Sequence, residues 1–271
     1  MLARKKHQPT SMTQLSQRIL SPDLITDTHP PIVLLHGWGL NSGVFDTLAE
    51  DLSQHIGVIL LDLPGFGNNA HIPLGAIEES AELISQQLPS QCHLLGWSLG
   101  GLLAQQIALL SQQNLASLLC IATSCQFMAQ EDWPGIKPEV LQVFETQLAH
   151  DYRTTVQRFL AIQAMGAPNA KADILALREA IARYPEPCEA SLLQGLKLLQ
   201  TSDLRTQVGD IKVPTLRLYG RLDALVPVKA ADQIALLQPK AKTVIMEHVS
   251  HAPFLSAREA FVEEIISFVL P

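Results

Sequence analysis

A sequence of 271 residues is long enough for one large α/β domain with an insertion or for two small domains, so length alone does not decide. Its composition, 47% hydrophobic and 17% charged, is typical of a globular protein with a sizeable core and excludes a disordered chain. The formal net charge of −7 argues against a dedicated nucleic-acid-binding protein, because phosphate contacts require a basic surface.

The cysteines and the first residues bear on the compartment. Cys92, Cys120, Cys125 and Cys188 form no C-x-x-C pair and show no His-Cys ligand spacing, so we expect neither a bound metal nor a disulfide framework. Reduced thiols suit the cytoplasm, and no apolar segment of signal-peptide length follows the first basic residues. No apolar run approaches the roughly 18 residues that a bilayer span requires. We predict a cytoplasmic protein without a membrane segment, and we expect a monomer with a flexible tail over residues 1–12.

Strand and helix patterns alternate through the first half of the chain. Continuous apolar runs predict buried strands at 31–35, 58–61, 92–95 and 118–122. Helical patterns separate them at 44–52, 76–88 and 102–110. This alternation predicts right-handed βαβ crossovers and a mostly parallel sheet flanked by helices. Before it, residues 14–26 show a weak pattern that is compatible with an antiparallel hairpin.

From about residue 127 to 199 the pattern changes to helices without a convincing strand. The helical segments lie at 140–148, 155–165, 172–184 and 190–199. Strand patterns resume at 215–219 and 243–246, and a helical pattern at 257–269 follows. We therefore predict an α/β core over residues 13–126 and 200–271, with residues 127–199 inserted above the sheet as a helical lid.

Gly96-Trp97-Ser98-Leu99-Gly100 is a G-x-S-x-G motif between a strand pattern and a helical pattern. A serine at such a turn has a strained backbone that holds its hydroxyl above the sheet, as a nucleophile requires. The glycines remove Cβ atoms that would collide where strand and helix meet. Because the motif also arises by chance, the alternative is a glycine-rich turn with a capping serine. Residues later in the chain favour the nucleophile.

A nucleophilic serine needs an imidazole base that is itself oriented by a carboxylate. In α/β folds that carry the serine on such a turn, the acid and the histidine come later in the chain, at the ends of strands. Asp223 comes soon after the strand pattern that ends at Tyr219 and is the best acid, although it could instead be a turn residue that caps the next helix. His251 follows the strand pattern that ends near Met246 and is the best base. The less well placed alternatives are Asp203, Asp232 and His248.

Two backbone N–H groups are the predicted donors to the oxyanion of the tetrahedral intermediate. One belongs to Leu99, directly after the serine, and the other to Trp38, in the loop after the first strong strand. His36, beside glycines in that loop, is interpreted as a structural histidine and not as a catalyst. Residues 62–67 lack the G-x-G-x-x-G spacing and the P-loop lysine, so we interpret them as a turn that shapes the site.

Together these segments resemble the α/β-hydrolase superfamily from residue 31 onward. More closely, the sequence is similar to the carboxylesterases of biotin synthesis, which hydrolyse the methyl ester of pimeloyl-acyl-carrier protein. The most specific match is Trp-Pro-Gly-Ile-Lys-Pro at 133–138, because it falls in the lid, where superfamily members differ most. The other matching segments are 36–41, 96–101, 158–161, 216–220 and 251–254.

The resemblance implies ester hydrolysis by Ser98, His251 and Asp223 without a metal or cofactor. The substrate's methyl-capped acyl chain is apolar, so an apolar wall should surround it. Its candidates, called here the wall residues, are Trp38, Leu40, Trp97 and Phe159. Phe159 could equally be the buried face of its own helix.

The resemblance also implies an acidic partner, the acyl carrier protein, and hence a basic patch on the lid. Its candidates, called here the docking residues, are Arg153, Arg158, Lys171 and Arg178. Two positions that are basic in the family hold Thr154 and Leu175 here, which predicts docking that is weaker or redirected through Arg153 and Arg178. Charges on helix surfaces are often only solvated.

Two other functions stay open at this point. One is a broad short-chain carboxylesterase with no carrier-protein role. The other is a ligand-binding or scaffolding protein on a hydrolase fold that has lost its activity. The intact set of serine, acid and histidine argues against the second.

Overall fold

The computed structural model describes residues 13–163, 165 and 169–270. Within them, seven strands form one sheet in the order β1-β3-β2-β4-β5-β6-β7. The strands are β1 (Gln17–Leu20), β2 (Ile32–Leu35), β3 (Val58–Leu61), β4 (Cys92–Trp97), β5 (Leu115–Ile121), β6 (Thr215–Gly220) and β7 (Lys242–Met246). The predicted tail over residues 1–12 lies outside the described residues.

The helices are α1 (Asp46–Leu52), α2 (Ile77–Ser85), α3 (Leu99–Ser111), α4 (Pro138–Leu148), α5 (Tyr152–Gln163), α6 (Ala170–Ala182), α7 (Glu189–Thr201), α8 (Val228–Leu237), α9 (Pro253–Ser256) and α10 (Arg258–Val269). Short 3₁₀ turns occur at Pro22–Leu24, Ser42–Phe45, Gly67–Asn69, Gln112–Asn114 and Val208–Asp210. No helix among the described residues is both long enough and apolar enough to cross a bilayer.

The central strands are apolar on both faces because helices cover both sides of the sheet. Every residue of β2, β3 and β4 is buried. Alternate strand residues divide between two hydrophobic clusters: Val33 and Leu94 belong to one, and Leu34 and Leu95 to the other. Strands β2 to β7 pair in parallel, which confirms the predicted α/β-hydrolase architecture with a mostly parallel sheet.

The hairpin suggested at residues 14–26 does not form. That segment supplies the single strand β1, which pairs antiparallel with β3 in a register that joins Gln17 to Leu61. After β1 the chain makes a short 3₁₀ turn and an isolated bridge between Thr26 and His29. The segment therefore covers the edge of the sheet next to β3.

Helices α4 to α7 occupy the segment between β5 and β6, where only helical patterns were predicted. The chain leading into α4 also forms two isolated bridges, Met128 with Ile136 and Gln130 with Trp133. Because β2, β4, β6 and β7 are parallel, the loops that follow them meet at one edge of the sheet, the edge formed by the carboxyl ends of these strands. Helix α5 touches this edge, since the His251 N–H donates to the Gln163 carbonyl at 3.0 Å.

Candidate active site

Ser98 lies at a sharp turn between β4 and α3. Its φ of 56° and ψ of −119° are in a region that non-glycine residues rarely adopt. A Cβ atom on Gly96 would lie 2.3 Å from the Gly100 carbonyl oxygen, so the close approach of strand and helix requires glycine there. The turn therefore has the geometry expected of a nucleophile elbow.

Asp223 and His251 form a buried pair beside this turn. The His251 Nδ1–H donates to Asp223 Oδ2 at 2.7 Å, and both side chains are fully buried. Asp223 Oδ1 accepts the N–H groups of Leu225 and Val226 at 2.8 and 3.0 Å. The carboxylate is thus fixed from two sides, and it holds the imidazole in the tautomer with Nε2 free to accept a proton.

The second nitrogen of His251, Nε2, is buried and has no hydrogen-bond partner among the described residues. The backbone around it is fixed, because the Trp97 Nε1–H donates to the His251 carbonyl at 2.8 Å and the Trp97 and His251 rings lie 5.7 Å apart. An oriented imidazole with one unused acceptor can remove a proton from a hydroxyl group.

The alternative acid and base residues lie elsewhere. Asp203 forms an ion pair with Arg205, and Asp232 is exposed on α8. His248 is exposed, with a φ of 58°, two residues after β7 ends. The structure therefore brings Asp223 and His251 together, and Asp203, Asp232 and His248 are not part of this pair. No group of three or more His, Cys, Asp or Glu side chains suited to a metal ion occurs in the described part of the chain.

The loop after β2 passes against the serine. A Cβ on Gly37 would lie 3.3 Å from Ser98 Cβ, which places the next residue, Trp38, beside the elbow. Neither the Trp38 N–H nor the Leu99 N–H has an acceptor among the described residues. The Leu99 N–H is also at the N-terminus of α3, where the helix dipole favours negative charge. Two N–H groups without an acceptor among the described residues therefore lie next to Ser98 in the fold.

His36 has a structural role in the same loop. Its Nδ1–H donates to the Gly37 carbonyl at 2.8 Å, and its Nε2 accepts the Leu63 N–H at 3.0 Å. Burial lowers the pKa of His36, with the nearby Asp62 opposing this effect. The neutral imidazole ties the loop after β2 to the turn after β3, as the sequence interpretation expected.

The wall residues fall into two groups. Trp38 and Phe159 pack edge to face, with ring centroids 4.8 Å apart, in the cluster on one side of the sheet. Leu40 and Trp97 belong to the cluster on the other side, where Trp97 packs on Phe254. All four side chains are at most 2% exposed, and they form part of the core around the elbow.

A cavity of about 490 Å³ opens between α5, α6 and the segment before α7. Its inner residues include Gly39 of the loop after β2, while its outer residues include Arg153 and Glu186, whose side chains are 65% and 58% exposed. Val156, Leu160, Ile181 and Pro187 give it an apolar lining between these ends. The cavity therefore connects the surface of the helical segment to the loop that carries Trp38.

The docking residues are all exposed on two neighbouring helices, with Arg153 and Arg158 on α5 and Lys171 and Arg178 on α6. Arg153 and Arg178 line the cavity, whereas Arg158 and Lys171 do not. Arg158 donates to Gln147 Oε1 at 2.8 Å. Thr154 and Leu175, where the resemblance implied basic residues, are also exposed: the Thr154 hydroxyl donates to Asp151, and Leu175 is 57% exposed.

Sequence reasoning missed two residues that support the site. The Thr123 hydroxyl donates to the Ser98 carbonyl at 2.7 Å, and its position just past the end of a neighbouring parallel strand was the available signal. Asp62 accepts the Ser42 N–H at 2.7 Å and the Asn68 N–H at 2.9 Å, which joins the loops after β2 and β3. Only the turn that contains Asp62 was singled out from the sequence, not the carboxylate.

Comparison with known proteins identifies the family of the chain. Residues 30–257 match the family model of the alpha/beta hydrolase fold. A curated relative from Aeromonas salmonicida (strain A449) is 49% identical over 248 residues, or 89% of this chain and 95% of the relative. One from Vibrio vulnificus (strain CMCP6) is 42% identical over 252 residues, or 92% and 99%. Both are named pimeloyl-[acyl-carrier protein] methyl ester esterase. The chain belongs to this family of α/β hydrolases.

Solved structures show the same fold for this hydrolase. An esterase from Exiguobacterium antarcticum superposes with a TM-score of 0.82 at 22% identity, covering 95% of this chain and 96% of that one. An enol-lactonase from Burkholderia xenovorans LB400 gives a TM-score of 0.82 at 19% identity with the same coverage. At these identities the likeness extends to the fold and not to the substrate.

Proposed function

We propose that this protein is a serine carboxylesterase that hydrolyses the methyl ester of pimeloyl-acyl-carrier protein to the free acid and methanol. The observation that carries the proposal is the buried Asp223–His251 pair, with His251 Nε2 unpartnered beside the strained Ser98 turn. The choice of substrate is supported by two relatives that are named pimeloyl-[acyl-carrier protein] methyl ester esterase and are 42% and 49% identical to this chain.

In the first step Ser98 Oγ attacks the carbonyl carbon of the terminal ester, and His251 Nε2 takes the hydroxyl proton. Asp223 stays ionised and stabilises the imidazolium. The N–H groups of Trp38 and Leu99 bind the oxyanion. Collapse of the intermediate releases methanol, which receives the proton from His251. A water molecule, deprotonated by the same imidazole, then hydrolyses the acyl-enzyme and restores the serine.

The helical segment supports the carrier-protein part of the proposal. In this proposal residues 127–199 act as the lid. The cavity lined by α5 and α6 reaches Gly39 of the loop after β2, and we propose it as the path of the acyl chain past Val156 and Leu160. The wall residues form the apolar surroundings of the elbow, and the docking residues receive the acidic carrier. We expect the enzyme to act as a monomer, and its free cysteines suit the cytoplasm.

The test is hydrolysis of the carrier-bound methyl ester and of a short p-nitrophenyl ester by wild type and Ser98→Ala. We expect a strong preference for the carrier-bound ester. We also expect the variant to lose at least about 10³-fold in kcat, because members of a triad act as a unit. Ser267→Ala, which removes an exposed hydroxyl on α10, is the matched control and should behave as wild type.

A broad short-chain carboxylesterase is the second candidate, favoured by Thr154 and Leu175 at two positions where the family resemblance implies basic residues. Equal efficiency on both esters, with Ser98→Ala inactive, would select it. A ligand-binding protein without activity would fail to react with a serine-directed phosphonate. Reaction at Ser98 would exclude that third possibility.

A further inference from the structure

Arg153 differs from the other docking residues because an acidic side chain already neutralises it. Its Nε and Nη2 donate to Oε1 and Oε2 of Glu186, each at 2.8 Å. The Tyr152 hydroxyl donates to the same carboxylate, and the Arg153 guanidinium lies over the Tyr152 ring, 5.1 Å from its centroid. This fork geometry is the one in which arginine binds carboxylates best, and here the carboxylate comes from the same chain.

Glu186 is held in this position by its neighbours in sequence. It lies between Pro185 and Pro187, so the backbone on both sides has restricted φ, and the residue before a proline favours an extended conformation. Glu186 and Arg153 line the outer part of the cavity, and Pro187 belongs to its lining as well. The ion pair therefore lies at the outer end of the cavity through which, under the proposed function, the carrier-bound substrate enters.

The remaining docking residues have no acidic partner within the described part of the chain. Arg158 bonds the neutral amide of Gln147, and neither Lys171 nor Arg178 forms an ion pair with any described residue. Hydrogen bonds from Arg153, and then from Tyr152, lower the pKa of Glu186 to about 2. Glu186 is consequently ionised at any pH at which the enzyme would work, and only substitution removes its charge.

We infer that Glu186 is a specificity-determining residue that competes with carboxylates of the acidic carrier protein for Arg153. The inference rests on the proposed function. A carrier carboxylate that takes the bidentate position on Nε and Nη2 of Arg153 must replace Glu186 there. Docking in this position exchanges one ion pair for another and gains less affinity than a free arginine would give. A small ester does not reach Arg153, so its hydrolysis does not depend on this exchange.

The experiment compares kcat and KM for the carrier-bound methyl ester and for a short p-nitrophenyl ester in wild type, Glu186→Gln, Arg153→Gln and the double variant. Glutamine keeps the size of the side chain and an acceptor for Tyr152 while it removes the charge. We expect Glu186→Gln to raise the ratio of carrier-bound to small-ester kcat/KM about two- to fivefold, through KM, as is usual for an exposed ion pair. The gain should shrink at high salt.

Two comparisons make the result specific. Arg153→Gln should lower the same ratio, and in that background Glu186→Gln should have no further effect. The matched control is Glu264→Gln, which breaks an exposed Lys242–Glu264 pair of the same 2.8 Å length on β7 and α10, away from the cavity. It should leave the ratio at the wild-type value.

The outcomes separate this inference from the function on which it rests. A wild type without preference for the carrier-bound ester overturns both. A wild type that prefers it, with an unchanged ratio in Glu186→Gln, overturns the inference alone. So does a lowered melting temperature together with equal changes on both esters, because the pair would then be a structural clamp between α5 and the segment before α7.

Discussion

Ser98 keeps its unfavourable backbone conformation because its own carbonyl group is fixed from three directions. The N–H groups of Gly101 and Leu102 donate to this oxygen at 2.9 and 3.1 Å, and the Thr123 hydroxyl donates at 2.7 Å. A residue in a sparsely populated region costs about 1–3 kcal/mol and persists only where its surroundings determine it several times over. Thr123 is the one of these three donors that comes from a side chain, so substitution can remove it.

We expect Thr123→Val, which keeps the shape and removes the donor, to lower kcat on a p-nitrophenyl ester by several-fold to about tenfold. This is less than the roughly hundredfold cost of a 1 Å misplacement, because two N–H donors remain. Stability should fall by about 1 kcal/mol in urea unfolding. Thr123→Ser retains the hydroxyl and should keep most of the activity. A wild-type kcat in the valine variant would show that Thr123 does not position Ser98.

At the scale of elements, α7 fixes the loop after β2 through Trp38. The indole Nε1–H donates to the Leu192 carbonyl at 2.8 Å, and a Cβ atom on Gly195 would lie 2.6 Å from Trp38 Cδ1. Glycine inside a helix costs about 1 kcal/mol relative to alanine, so helix propensity does not explain why residue 195 is glycine. The close packing of Trp38 against α7 explains it.

Gly195→Ala should therefore destabilise the protein in spite of its better helix propensity, by about 1–3 kcal/mol, as overpacking usually does. It should also lower kcat, because α7 and Trp38 must separate and the Trp38 N–H moves with its loop. The control is Gln200→Ala, an exposed position on the same helix, where stability should change by less than about 0.5 kcal/mol. A more stable and fully active Gly195→Ala would contradict this packing argument. Thermal unfolding and p-nitrophenyl ester kinetics measure both effects.

The same elements show how far the sequence could lead. The strand at 58–61 was predicted with its observed bounds, because a run of four apolar residues is long enough for a buried strand and too short for a buried helix. Strand β1 was not predicted as a single strand, because its partner β3 lies about 40 residues away and no pattern in residues 14–26 indicates that pairing. A local pattern of apolar residues indicates that a segment is buried, but it does not indicate which distant segment covers it.

For the site, order along the chain was sufficient to select Ser98, Asp223 and His251, because loops that follow parallel strands meet at one edge. The roles of these residues remain predictions until the activity is measured. The pairing of Arg153 with Glu186 was beyond reach, since charges 33 residues apart on separate elements carry no mark of contact in sequence. Thr123 was within reach, because it lies just past the end of β5, the parallel neighbour of β4, but no reasoning from the sequence used that position.

At the scale of the whole molecule, two buried histidines link stability to pH. His93 on β4 lies 2.8 Å from the Ser117 hydroxyl, and burial lowers its pKa to about 4. Burial also lowers the pKa of His36, whose Nε2 accepts a backbone N–H that an imidazolium could not accept. In the unfolded chain both residues bind a proton near pH 6.5. The unfolded state therefore binds more protons than the folded state as soon as the pH falls below that value.

Stability contributed by these histidines is complete above about pH 6.5 and is lost as the pH falls toward 4. For His93 alone the loss between pH 7.5 and 5 is on the order of 2 kcal/mol. Urea unfolding at the two pH values should show this loss in wild type and a clearly smaller one in His93→Gln. The control His71→Gln removes an exposed histidine and should retain the wild-type pH dependence. If His93→Gln loses as much stability as wild type on acidification, the proton is taken up elsewhere in the unfolded chain, and burial of His93 does not set the acid limit of the fold.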